Sequence, residues 1–244
     1  EPLVEYLTND GSIVIELGNA WEQGQPTMST LPIRSLLAFQ EAASLFLCQE
    51  FICFNPARLP SPAQWVTVER IRVKDAFTRV WWMSPVPKPK ATNRSVLTEY
   101  SKSMERLLER GTYNPGRRPS EHQIGEDSFL TDNRGAIPPN VLIPPIEDMV
   151  IDLLEVLPIA NTSSSDPYQD YCRKYGIKPH PARMASKLVE FFILFLTDEG
   201  DRVMDPFAGS NMTGRAAENL GRRWLAIEAD ARYAETSRAR FDVG

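Results

Sequence analysis

Between Arg202 and Phe241 the sequence alternates short apolar runs with helix-length segments, and the links between them are only a few residues long. Arg202-Val203-Met204-Asp205 has the apolar content of a short strand. Thr213 to Leu220 reads as a helix closed by Gly221, and Trp224-Leu225-Ala226-Ile227-Glu228 as a buried strand. Asp230 is placed to cap a final helix reaching about Phe241. Two strands joined this way need a crossover helix and so run parallel. The chain is therefore predicted to be an α/β protein.

Elements upstream fit that class. Leu3, Val4 and Leu7 look like the end of an amphipathic helix, and Asp10-Gly11 is a turn. Ser12 to Leu17 reads as a strand stopped at Gly18. Pro32 opens a helix predicted to run to about Cys48, with Leu45 and Leu47 in its apolar content. Phe51-Ile52-Cys53-Phe54 and Thr78 to Met83 read as strands. Trp81 and Trp82 point to opposite faces of the second one, so at least one should lie in the core. Asp166-Pro167 opens a short helix closed by Gly176, and Pro181 to Leu196 reads as a helix with Leu188, Phe191, Phe192 and Phe195 inward.

Residues 85–145 break this regularity. Nine prolines there forbid long elements, and the only plausible helix runs from Thr98 to Arg110, ended by Gly111. Tyr100, Met104, Leu107, Leu108, Tyr113 and Phe129 give the segment something to pack, so it reads as an inserted module rather than a disordered linker. Charge also segregates. The net charge of the 244 residues is −5, but residues 51–120 carry 13 Lys and Arg against 5 acids, between acidic flanks. Such a block is a candidate phosphate-binding surface. The most apolar stretch, residues 189–196, is far shorter than the roughly 20 residues of a membrane helix. Three cysteines and two histidines give neither a disulfide framework nor a zinc spacing, so no metal is expected and a reducing cytosol fits best.

The chemistry concentrates at Asp205-Pro206-Phe207-Ala208-Gly209-Ser210-Asn211-Met212-Thr213-Gly214. A strand delivers an acid, a small-residue turn follows, and a helix begins; ligands of open parallel sheets bind just there. Gly209 and Ser210 let backbone approach a ligand. Glu228 ends the next strand, where an ionised carboxylate can accept both hydroxyl protons of a ribose. Arg215-Ala216 stand where a P-loop needs Lys and Ser or Thr, and the dinucleotide Gly-x-Gly-x-x-Gly is absent. Asp205 would also repel a pyrophosphate. A cationic amino-acid end joined to a nucleoside suits the two acids, and S-adenosylmethionine has both. The competing assignment for Asp205 is a plain helix cap.

Asp205 to Thr213, followed by Gly221-Arg222-Arg223-Trp224 and Ile227-Glu228, resembles the cofactor motif of DNA amino-methyltransferases. His180-Pro181-Ala182-Arg183 with Lys187-Leu188 and Phe191-Phe192 resembles the motif preceding it. Phe54-Asn55-Pro56, Leu59-Pro60-Ser61-Pro62, Trp65, Arg72, Lys74-Asp75-Ala76, Val80-Trp81-Trp82 and Ile137-Pro138-Pro139-Asn140 are similar to the cytosine-N4 enzymes of type II restriction–modification systems. The resemblance covers nearly the whole chain.

It implies a Rossmann-like S-adenosylmethionine-dependent methyltransferase sheet with the circularly permuted motif order of the β class. Residues 1–84 would form the catalytic half, 85–165 a loop-rich target-recognition insertion, and 166–244 the cofactor half. The cofactor would be held by Asp205, Phe207, Gly209, Ser210, Asn211, Thr213, Glu228 and His180. Lys88, Lys90, Arg94, Arg117 and Arg118 would contact double-stranded DNA. The target base would be flipped out and its amino nitrogen would attack the methyl directly. No cysteine follows a proline, which disfavours the covalent C5 route. The family's Ser-Pro-Pro-aromatic catalytic motif is expected upstream of Glu1, and Ser84-Pro85-Val86-Pro87 is rejected as its equivalent. Alternatives are adenine-N6 methylation and a catalytically inactive binding module. The setting would be a bacterial cytoplasm, at the nucleoid through DNA; a homodimer is left open, and no stable protein partner is required.

Overall fold

The computed structural model describes residues 2–55, 58–117, 119–125, 127–142, 167–181 and 184–241. After a 3-10 turn at Pro2–Tyr6 come strand β1 (Ile13–Gly18), helix α1 (Leu31–Ala43), β2 (Phe46–Phe54) and β3 (Phe77–Ser84). Residues 85–142 contribute α2 (Lys102–Arg110), a ribbon of β4 (Gly116–Arg117) and β5 (Gln123–Ile124), and β6 (Val141–Leu142). The C-terminal part comprises α3 (Pro167–Lys174), α4 (Ser186–Leu196), β7 (Arg202–Asp205), α5 (Met212–Asn219), β8 (Arg223–Ala226) and α6 (Ala231–Ser237).

One sheet has the order β1-β3-β2-β6, and β7 and β8 form a second, parallel pair as expected. In the first sheet β3 lies antiparallel to both β1 and β2. β1 and β2 are thus parallel to each other, joined across β3 by the α1 crossover. The reversal of β3 follows from its link to β2. Phe54, the last residue of β2, pairs with Phe77, the first of β3. The 55–76 loop leaves and re-enters at one end of the sheet, as a long hairpin does.

Some boundaries shift. α1 stops at Ala43, where Ser44 turns left-handed (φ 50°), and Leu45 to Cys48 lead into and join β2 instead of the helix. α2 begins at Lys102 rather than Thr98. Thr98 exchanges backbone hydrogen bonds of 2.9 Å with Ala136, so it is extended, and Ser101 caps the helix by accepting from the Met104 N–H. Gly111 closes it in the left-handed region as anticipated. α4 starts at Ser186, not Pro181. β8 was expected to be buried, yet Leu225 is 57% and Ile227 49% exposed, because β7 is its only strand partner among the described residues.

Both tryptophans are core. Trp81 packs with Leu45 and Met83 on one face, Trp82 with Phe51 and α4 on the other. α4 joins the two sheets. Its Phe191, Phe192 and Phe195 meet Phe51 edge-on at centroid separations of 5.9, 5.1 and 6.4 Å. Its Val189 and Ile193 pack on Ala216 and Ala217 of α5. Such T-shaped aromatic contacts add to plain area burial.

Lys90 holds the two sheets in register. Its backbone N–H donates to the Asp10 carbonyl just before β1, and its ammonium reaches Asp201 (2.6 Å) and Asp198 (2.7 Å) just before β7. The segments that lead into β1 and β7 therefore lie beside each other. Lys90 and the Asp198 backbone N–H hold the Asp201 carboxyl below its ordinary range, while the two acids push the Lys90 ammonium up. The clamp is thus complete above the ordinary carboxylate pKa, persists past that of lysine, and fails as acid titrates Asp201. Lys90 and Asp201 are about a third exposed and Asp198 mostly so, so Lys90→Met should lower stability by only about 1 kcal/mol at pH 7. In denaturant melts that difference should shrink toward pH 3; a constant difference would show that lost packing, not charge, is responsible.

Candidate functional site

At the carboxyl ends of β7 and β8 the chain turns sharply, and two carboxylates organise the turn. Asp205 accepts from the Phe207 N–H through Oδ1 (3.0 Å) and from the Thr213 hydroxyl through Oδ2 (2.6 Å). Glu228 accepts from the Gly209 N–H through Oε2 (2.8 Å) and from the Asp230 N–H through Oε1 (2.8 Å). The acid predicted at each strand end is therefore there, and each also shapes its own loop. Each of the four oxygens accepts one of these bonds and keeps a second acceptor position.

Gly209 adopts φ +52° and is buried. A Cβ on it would stand 3.1–3.3 Å from Cε1, Nε2 and Nδ1 of His180, so the imidazole lies flush against bare backbone. His180 is fixed by the Tyr233 ring, edge-on at 4.5 Å, and by its N–H donating to the Tyr168 hydroxyl at 3.1 Å. Asn211 turns left-handed and its side chain accepts from the Gly214 N–H at the start of α5. Ser210 is buried. Phe207, by contrast, is 85% exposed: its ring is no core residue and stands free at the lip of the turn.

The eight residues assigned from sequence to one site thus converge on one turn. Sequence reasoning missed Tyr168, Tyr233 and Arg240, which pack behind it. No motif spacing marks them; only the folded placement of α3 and α6 brings them there.

The basic candidates separate. Lys88 and Arg94 are exposed. Arg117 is exposed and pairs with Glu121 at 3.3 Å, and Arg118 lies outside the described residues. Lys90, expected at DNA, is engaged by two carboxylates instead. Elsewhere in the basic block, Arg58 pairs with Asp75 and Arg79 with Glu50 and Asn19, and Arg72 lies over the Trp21 ring. Arg94 joins Arg110 and Arg134 around a cleft that Tyr100, Met104 and Tyr113 also line. Arg134 lies beyond the basic block, in the flank whose net charge is acidic.

Burial, with Glu16 nearby, pushes the Cys53 thiol up to about 12, and burial raises that of Cys48. Neither supplies a thiolate near neutral pH. Ser84 is fully buried and its hydroxyl donates to the Gly11 carbonyl. Among the described residues no cluster could hold a metal and no helix is long and apolar enough to cross a membrane.

The model of the DNA methylase family matches residues 2–239. The chain is 42% identical over 237 residues to the type II methyltransferase M.PvuII of Proteus hauseri, covering 96% of this chain and 66% of that protein. A 64-residue stretch, 26% of this chain and 24% of its relative, is 43% identical to the type II methyltransferase M2.DpnII of Streptococcus pneumoniae. The fold superposes on the PvuII DNA methyltransferase (cytosine-N4-specific) with a TM-score of 0.72 at 35% identity, over 96% of this chain and 65% of that one. It also superposes on the M1.HpyAVI–SAM complex with a TM-score of 0.50 at 17% identity, over 97% and 76% of the two chains, a likeness of fold. The chain spans just under two thirds of the length of M.PvuII. With the family model running almost from end to end, the chain belongs to the DNA methylase family.

Proposed function

We propose that the protein bearing this chain transfers a methyl group from S-adenosylmethionine to cytosine N4 in double-stranded DNA, at a short specific sequence. The observation that carries this is the convergence of Asp205 and Glu228 on the Gly209 turn, within a chain 42% identical to M.PvuII over 237 residues. The residues fit the cofactor. Bare backbone at Gly209, spare acceptor capacity on two carboxylates and a free aromatic face at Phe207 suit a nucleoside joined to a cationic amino acid. Asp205 would accept from its ammonium and Glu228 from its ribose hydroxyls, with His180, Ser210, Asn211 and Thr213 shaping the turn. When bound, the cofactor supplies a sulfonium methyl that a neutral amino group can attack.

The permuted motif order and the division at about residues 85 and 165 belong to the same proposal. Arg94, Arg110 and Arg134 around their cleft, with Lys88, Arg117 and Arg118, would meet duplex DNA, whose affinity for such cations is salt-dependent. The base would be flipped toward the turn. Ser-Pro-Pro-aromatic occurs nowhere in the 244 residues, so no residue of this sequence is assigned to hold the acceptor amino group. A bacterial cytoplasm is the expected setting.

Removing a charged hydrogen-bond partner costs about 1.5–3 kcal/mol, so Asp205→Ala and Glu228→Ala should each weaken S-adenosylmethionine binding roughly tenfold or more in calorimetry. Unchanged affinity in both, with the fold intact, would sink the site. Nucleoside mass spectrometry of duplex DNA treated with the protein should show N4-methylcytosine. N6-methyladenine would transfer the reading to the adenine alternative, C5-methylcytosine would overturn direct amino attack, and cofactor and DNA binding without product would favour the inactive module.

A further inference from the structure

Behind the Gly209 turn lies a buried cation. Arg240, at the end of the 3-10 turn that follows α6, is 4% exposed. Its Nε donates to the Ser210 carbonyl and its Nη2 to the Ser210 hydroxyl (3.1 Å). The guanidinium lies over the ring of Tyr168, 4.7 Å from its centroid, and Tyr168 is fully buried. The Tyr168 hydroxyl in turn accepts from the His180 N–H, and the His180 ring faces Gly209. One side chain thus grips Ser210 directly and reaches Gly209 through two rings.

Burying a guanidinium is costly, and a fold keeps one where dipoles or partners recover that cost. Arginine stays protonated at any pH the protein meets, so the charge behind the turn is permanent. At low effective dielectric such a charge is felt across several ångströms. A cofactor of the proposed kind carries one anionic group, the carboxylate of its amino-acid end, while Asp205 and Glu228 give the front of the site negative charge. Without a cation behind the turn, that carboxylate would meet only repulsion from them.

On the cofactor reading above, we propose that Arg240 is a positioning residue for the amino-acid end of the cofactor. It acts through the permanent positive charge it places behind the Ser210 backbone it grips, without touching the ligand. Its signature is selectivity between ligands. The readout is the ratio of affinities, by calorimetry, for S-adenosylhomocysteine, which has the amino-acid end, and 5′-methylthioadenosine, which lacks it. Arg240→Gln keeps donors near Ser210 but removes the charge. It should reduce that ratio about tenfold, the equivalent of one charge interaction at partly screened range. Arg240→Lys keeps the charge and should hold the ratio within about threefold, losing the planar fork but not the field. Equal ratios in the unaltered chain and both variants would overturn the inference and leave Arg240 a fold residue, whose loss moves only the melting temperature. A ratio lost equally in Lys and Gln would also overturn it, by showing that geometry alone matters. Failure of the unaltered chain to bind either ligand is a separate result: it sinks the cofactor reading before any variant is compared.

Discussion

Phe51→Ala should destabilise the protein by about 3–5 kcal/mol, the range for emptying a buried aromatic site. Phe51 is 3% exposed on β2 and meets three phenylalanines of α4 edge-on. The same cluster contains Val80, Trp82, Val96 and Leu142, drawn from β3, the 3-10 turn Asn93–Val96 and β6. A truncated side chain would leave a cavity whose walls belong to several elements and so cannot collapse inward easily. Domains are commonly stable by only about 5–15 kcal/mol, so this single loss is a large share. Denaturant unfolding followed by fluorescence of the five tryptophans should report it, with Phe51→Leu costing less because it fills more of the hole. A loss under 1 kcal/mol in the alanine variant would show that α4 does not anchor the two sheets through this residue.

What was legible in the sequence follows from how local each feature is. The turn after β7 could be read because the strand, the acid, the small residues and the helix start are consecutive, and backbone geometry demands them in that order. Glu228 was legible because one crossover fixes its distance in sequence. The extent of α1 was not, because Leu45 and Leu47 suit a helix face or a strand face equally; pairing of Phe46 with Ser84, 38 residues on, decides for the strand. The reversal of β3 depends on where the 55–76 loop returns, which no local pattern encodes. Burial of β8 was misjudged because apolar composition was taken for burial, whereas burial needs a neighbour. Lys90 shows the same limit for charge. A lysine within a basic block reads as a phosphate ligand, and only folding shows that Asp198 and Asp201, over a hundred residues away, surround it. Arg240 has no motif at all: a buried arginine looks like any arginine until its surroundings are known.

Gly209→Ala should disable the turn more thoroughly than loss of either carboxylate. Two independent costs meet there. A residue with a Cβ at φ +52° is strained by about 1–2 kcal/mol relative to glycine. The added methyl would also press on three ring atoms of His180 at 3.1–3.3 Å. The imidazole cannot swing away freely, since Tyr233 abuts its ring and the Tyr168 hydroxyl ties its backbone. The turn must move instead, and with it the Gly209 N–H that Glu228 holds. The variant should therefore lose about 2–3 kcal/mol of stability, combining backbone strain with overpacking. Its S-adenosylmethionine affinity should fall by well over tenfold, because the carboxylate and the backbone it organises are displaced together. His180→Ala in the same chain separates the two causes. It opens space for the methyl but leaves φ positive, so the double variant should recover part of the loss and no more. Full recovery would make the clash the whole effect, and no recovery would remove His180 from the architecture of the site.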